Sequence, residues 1–92
     1  MQIEWSQRAL ADLQAIADHI EQDRTVEAAN RVARRIYEAV QSLRTMPYRG
    51  RYGRTDNTRE SVIPRLPYLA VYQVLTDRLV ILDIVHGAQR WP

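Results

Sequence analysis

The chain has 92 residues, of which 46% are hydrophobic and 26% are charged, and its formal net charge is +2. This size predicts one domain over residues 1–92, and the absence of cysteine excludes disulfides and thiolate metal sites. Because no apolar run reaches membrane-spanning length and the N-terminus lacks a signal-peptide pattern, we expect a cytoplasmic protein without a membrane segment, metal or other cofactor.

The N-terminal half predicts one strand followed by two amphipathic helices. Residues 2–5 alternate apolar and polar side chains, which indicates a strand. Ser6 can cap a helix over about 7–22, and Thr25 can cap a second helix over about 26–44. In both segments apolar residues recur at spacings of three and four, and the short connection between them predicts an antiparallel helical hairpin.

The C-terminal half predicts a loop and three strands. The loop covers residues 46–57, and strand-like runs follow at about 58–64, 67–75 and 79–85. The resulting order, β-α-α-β-β-β, predicts a two-layer α+β domain in which an antiparallel sheet packs against the helical hairpin. The residues predicted to be largely buried are Leu10, Leu13, Ile36, Val40, Val71 and Leu82.

The loop and the residues after it are unusually basic. Seven arginines stand against four acidic residues over 47–92, and there is no lysine in the chain. Arginines interleaved with tyrosines are typical of a surface that contacts a phosphate backbone and bases, or one that receives an acidic peptide; a solvated loop has the same composition. The candidate nucleic-acid or partner-binding residues here are Arg49, Arg51, Tyr52, Arg54 and Arg65.

Three residues are candidates for acid–base chemistry. Arg59 and Glu60 are neighbours on a predicted strand, so they point to opposite faces: Arg59 could hold a phosphate and Glu60 could accept a proton, or each could form an ion pair with a neighbouring element. His86 follows the last strand and could act as an acid or base, or as a structural hydrogen-bonding residue. Two distant histidines make a metal site improbable, and Trp91 either seals the end of the sheet or anchors a partner.

Four segments together resemble the RelE/ParE superfamily of toxins from type II toxin–antitoxin (plasmid stabilisation) systems. They span nearly the whole chain: IEWSQRALADLQAIADHI, AANRVARRIYEAVQSLRTMPYRGR, TRESVIPRLPYLAVYQV and LVILDIVHGAQRWP. The resemblance implies a β-α-α-β-β-β fold, a cognate antitoxin wrapped over the toxin, and growth arrest when the toxin is free.

The superfamily has two branches with different targets. RelE-like members are ribosome-dependent mRNA endonucleases, which would give Arg59, His86 and Glu60 catalytic roles, whereas ParE-like members poison DNA gyrase and need no nuclease site. The long helices and the TRE and PY elements resemble the ParE-like branch. Asp83 stands where relatives often carry arginine, and its carboxylate would repel a scissile phosphate. We therefore expect a gyrase-poisoning toxin, with an mRNA endonuclease or a non-toxic partner-binding module as alternatives.

Overall fold

The computed structural model describes residues 1–87 as two helices on one face of a five-stranded sheet. The helices are α1 (Gln7–Asp23) and α2 (Val26–Gln41), and a 3-10 turn (Ser42–Arg44) continues from α2. The strands are β1 (Gln2–Trp5), β2 (Arg51–Tyr52), β3 (Arg59–Val62), β4 (Tyr68–Val74) and β5 (Arg78–His86).

Both helices begin at the predicted caps. The Ser6 hydroxyl accepts a hydrogen bond from the Ala9 amide and the Thr25 hydroxyl accepts one from the Ala28 amide, each at 3.0 Å. These bonds satisfy amide donors that a helix leaves free in its first turn. The second helix was predicted to continue to residue 44, but its α-helical part ends at Gln41 and only the tighter 3-10 turn reaches Arg44.

The predicted α+β fold class is confirmed, and the sheet corrects one detail of it. The strand order is β1-β5-β4-β3-β2, and the pairs among β2, β3, β4 and β5 are antiparallel, whereas β1 pairs with β5 in parallel. The sheet is therefore mixed, and it gains a two-residue strand, β2, inside the predicted loop. Neither feature has a local sequence signal, because strand pairing depends on where distant segments meet.

The core lies between the helices and the sheet. Ile36 and Val40 of α2 are fully buried against Ala70, Tyr72 and Ile81 of the sheet, so the predictions for Ile36 and Val40 are confirmed. Val71 is also buried, but it belongs to a second cluster on the opposite face of the sheet. Leu13 is half-buried and packs against the main core. Leu10 is 52% exposed, so the prediction that it is largely buried was wrong. Leu10 lies about 100° around α1 from the buried Ala9, at the flank of the packed face.

A β-bulge in β5 explains why Leu82 is only half-buried. Val71 is paired with Asp83 and Tyr72 with Ile81, so Leu82 is the extra residue opposite this step. An extra residue reverses the alternation of side chains along the strand. Leu79 and Ile81 accordingly share the helical face with Ile84. No helix within residues 1–87 combines the length and apolar character needed to cross a membrane.

Candidate partner-binding surface

Tyr72 fixes the position of the basic loop. Its ring is fully buried, its hydroxyl donates to the Pro47 carbonyl at 2.8 Å, and it accepts from the Gly50 amide at 3.0 Å. A Cβ at residue 50 would lie 2.6 Å from that hydroxyl oxygen, so the close approach requires glycine. A buried tyrosine hydroxyl generally needs a hydrogen-bond partner, and here both partners belong to the loop.

Glu60 is buried and ion-paired. Its side chain is 2% exposed, one oxygen accepts from the Arg51 guanidinium at 3.1 Å, and the other accepts from the Arg54 amide at 3.0 Å. The Arg54 Nε lies 3.8 Å from the same second oxygen. Arg51 is directly opposite Glu60 across the β2–β3 pair, where side chains share a face. This carboxylate therefore holds β2 and the loop against β3.

Arg59 points to the other face and lies between two tyrosine rings. Its guanidinium carbon is 5.0 Å from the centre of the Tyr48 ring and 4.6 Å from that of Tyr52. One guanidinium nitrogen also donates to the carbonyls of Tyr48, at 3.3 Å, and Gly50, at 2.8 Å. These cation–π contacts and hydrogen bonds engage the guanidinium within the protein and hold two largely exposed rings in place, Tyr52 being 82% exposed.

The remaining loop arginines point elsewhere. Arg49 donates to the Ser42 hydroxyl at 2.5 Å and to the Ala39 carbonyl at 3.5 Å, at the C-terminal end of α2. Arg65 is exposed in the connection between β3 and β4, with a φ of 68°. Arg59 and Arg51 lie on opposite faces of the sheet and Arg65 lies in the β3–β4 connection, so no one surface presents all five arginines.

His86 lies far from Arg59. Tyr68 is paired with His86, and the two rings meet edge to face with their centres 5.7 Å apart. Arg59 is level with Tyr72 and Ile81, five residues from His86 along β5. At about 3.3 Å per residue this separation is roughly 16 Å. The structure therefore does not bring His86 together with Arg59 and Glu60. Trp91 lies outside the described residues.

Asp83 lies beside a second carboxylate, that of Asp12. Its side chain is 13% exposed, and the Arg8 Nε lies 3.4 Å away. Burial, together with a hydrogen bond to Asp12 and the charge of Asp12, raises the pKa of Asp83 from 3.8 to about 6, while Arg8 acts in the opposite direction. Asp12 also accepts a hydrogen bond from the Ile84 amide at 3.0 Å. Within residues 1–87, no three histidine or carboxylate side chains lie close enough to hold a metal ion.

Comparison with known proteins identifies the family. Residues 3–91 match the family described as the ParE toxin of the type II toxin–antitoxin system parDE. The chain belongs to this ParE toxin family. Two relatives are each 42% identical to it: Y4kP of Sinorhizobium fredii, over 98% of this chain and 92% of that protein, and Toxin RelE2 of Caulobacter vibrioides, over 96% and 97%. A solved structure of the chromosomal ParDE TA system from P. aeruginosa has a TM-score of 0.87 at 30% identity, covering 94% of this chain and 95% of that one.

Membership of the ParE toxin family confirms the resemblance stated from the sequence and the role as the toxin of a type II system. Sequence reasoning selected Arg51, Arg54 and Glu60 separately and missed that they form one cluster. It also missed the Asp12–Asp83 pair. The spacing of Arg51 and Glu60 around a turn was a usable signal for the first. Asp12 and Asp83 are 71 positions apart and meet only because α1 packs against β5.

Proposed function

We propose that this ParE-family toxin arrests growth by poisoning DNA gyrase in the cytoplasm and that a cognate antitoxin neutralises it. The observation that supports gyrase over mRNA is the dispersal of the candidate nuclease residues. RNA cleavage needs a proton acceptor and a positive charge at the same phosphate. Here the Arg59 guanidinium is engaged by two rings and two carbonyls, and His86 is roughly 16 Å away along the sheet.

Glu60 gives further support for this choice. A general base must reach the proton that it abstracts, but this carboxylate is 2% exposed and both of its oxygens accept from the loop. A toxin that acts by surface contact needs no such group. The exposed rings of Tyr48 and Tyr52, with the Arg59 guanidinium between them, offer the kind of rigid aromatic and cationic surface that is enriched in protein interfaces.

Two assays with purified toxin test the proposal. Added to gyrase and relaxed plasmid, the toxin is expected to inhibit supercoiling and to raise the yield of cleaved plasmid after protease treatment. Added to a translation reaction, it is expected to leave the mRNA intact by primer extension. Prior mixing with the antitoxin should abolish the gyrase effect. Ribosome-dependent cuts in the mRNA, with supercoiling unaffected, would establish the RelE-like alternative. The Caulobacter relative carries the name RelE2, which is the reason for testing that alternative.

A further inference from the structure

A groove runs along the outer edge of β3, beside the C-terminal end of α2, and has a volume of about 460 Å³. It lies apart from the Tyr48–Arg59–Tyr52 stack, which opens on a different cavity. Three parts of the chain form its walls: the end of α2, the basic loop and the β3 edge. The residues of these walls that matter here are Ala39, Ser42, Arg49, Arg51, Val62 and Pro64.

The β3 edge in this groove is open for strand pairing. Strand β2 pairs only with Arg59 and Glu60, so Val62 lies beyond its reach. The Ile63 amide donates inward to the Tyr68 carbonyl, and backbone groups alternate in direction along an antiparallel strand. The amide and carbonyl of Val62 therefore point outward, into the groove. Its side chain is 58% exposed beside them. An exposed strand edge of this kind is a template for an added strand.

The groove also carries positive charge. Arg49 lies across the end of α2, held by the Ser42 hydroxyl and the Ala39 carbonyl, and Arg51 is 61% exposed at the opposite wall. Glu60 also lines the groove and is ion-paired with Arg51, so its charge offsets Arg51 more than Arg49, whose contacts here are with a hydroxyl and a carbonyl. An occupant with carboxylates would complement this charge.

We propose that the groove binds an extended, acidic segment of the antitoxin, which adds as a short strand to β3 at Val62. This inference rests on the antitoxin partner of the proposed function and is independent of the gyrase target. An extended peptide fits because its backbone donors and acceptors are free, whereas a helix uses them internally. An apolar side chain of the peptide can also pack on Val62 while neighbouring carboxylates reach Arg49 and Arg51. A nucleic acid lacks the paired amide and carbonyl that the Val62 edge matches.

The first test compares three variants for binding to the full-length cognate antitoxin. Val62→Pro removes the outward amide at an edge position where proline is tolerated, and should weaken binding roughly 3- to 10-fold. Arg49→Glu reverses one groove charge and should weaken binding about 10-fold at low salt, with a smaller loss on adding salt. Arg65→Glu is the matched control, because this exposed arginine does not line the groove, and should change the affinity less than 3-fold.

The second test needs no variant. In the wild-type complex, hydrogen exchange at the Val62 amide should slow at least 10-fold relative to the free toxin, because the amide becomes part of a sheet. Unchanged exchange at Val62 would overturn the proposal even if a variant misfolds. So would equal losses of affinity for Arg49→Glu and Arg65→Glu, which would indicate a diffuse charge effect.

A third measurement separates this proposal from the gyrase target. Folded Val62→Pro and Arg49→Glu proteins should inhibit supercoiling as well as the wild type does when antitoxin is absent. Loss of gyrase inhibition with antitoxin affinity unchanged would assign the groove to the target instead and overturn the proposal. If the wild-type toxin leaves gyrase unaffected, the proposed target fails, but the antitoxin affinities and the Val62 exchange rate still decide the groove proposal.

Discussion

Two carboxylates on the strands either side of β4, Glu60 on β3 and Asp83 on β5, have opposite surroundings. Glu60 accepts from an arginine side chain and an arginine amide and has a second guanidinium 3.8 Å away. Asp83 instead shares its site with Asp12 and is ion-paired with Arg8, whose own side chain is 80% exposed. The first carboxylate is compensated as an anion. The second is buried beside another acid, and its pKa is raised to about 6, so its protonated form is more stable than that of an exposed aspartate.

The contrast shows that burial alone does not decide what a carboxylate contributes. At Glu60 the charge holds the basic loop against β3, and with it the groove wall formed by Arg51. At Asp83 the charge weakens the contact between α1 and β5 once the pH rises above the pKa. The surface that we assign to the antitoxin therefore lies on the β3 side of the sheet, beside the carboxylate that is ion-paired with arginine.

The largest expected effect is the loss of Glu60. Removing one member of a fully buried ion pair typically costs about 3–5 kcal/mol, but Arg51 and Arg54 remain in contact with water, so we expect Glu60→Ala to lower the free energy of unfolding by about 2 kcal/mol. Urea denaturation at pH 7 measures this, with exposed Glu38→Gln as the control. Equal effects of the two substitutions would contradict the role assigned to Glu60.

The next effect is a pH dependence at Asp83. Its folded pKa, about 6, lies above the ordinary value of 3.8, so the stability it contributes is present below about pH 4 and is lost as the pH rises through 6. Asp83→Asn should therefore stabilise the protein at pH 8, by at most about 3 kcal/mol, and change little at pH 4. Urea denaturation of both proteins between pH 4 and 8 checks this against the exposed Asp56→Asn. A stability difference that is flat with pH would rule out the shifted carboxyl.

The smallest effect concerns Arg8. Because its guanidinium opposes the shift at Asp83 and its side chain is largely in water, Arg8→Gln should change stability at pH 8 by less than about 0.5 kcal/mol. It should also raise the pKa of Asp83 further, which NMR titration of the Asp83 carboxyl carbon would detect. A lower pKa in the variant would mean that Arg8 acts on Asp83 in some other way than through its charge.

The helices were predictable because their signals are local. Ser6 and Thr25 precede apolar residues at helical spacing, and both caps are present in the structure. The existence of β1, β3, β4 and β5 was predictable for the same reason, but β2 and the strand pairing were not. The parallel pairing of β1 with β5 joins residues that are 76 positions apart. The bulge at Leu82 also depends on the neighbouring strand, and the prediction that Leu82 is largely buried was wrong for that reason.

The candidate site was predictable in composition and not in geometry. Period-two alternation placed Arg59 and Glu60 on opposite faces, and their contacts agree. Which partners each would meet depended on how the loop folds back, which Tyr72 and Gly50 decide through a contact 22 positions apart. The distance between Arg59 and His86 likewise depends on strand register, which no short motif encodes.

The measurement that tests the central claim most directly is growth arrest on induction of His86→Ala. If the toxin acts by surface contact, no proton transfer is needed, and the variant should stop growth as the wild type does. The other histidine provides a matched control, His19→Ala, on the exposed face of α1. Circular dichroism verifies that each variant is folded. Loss of a general base would lower a cleavage rate about 10²–10⁴-fold, so a folded His86→Ala protein that is harmless, while His19→Ala remains toxic, would contradict the account.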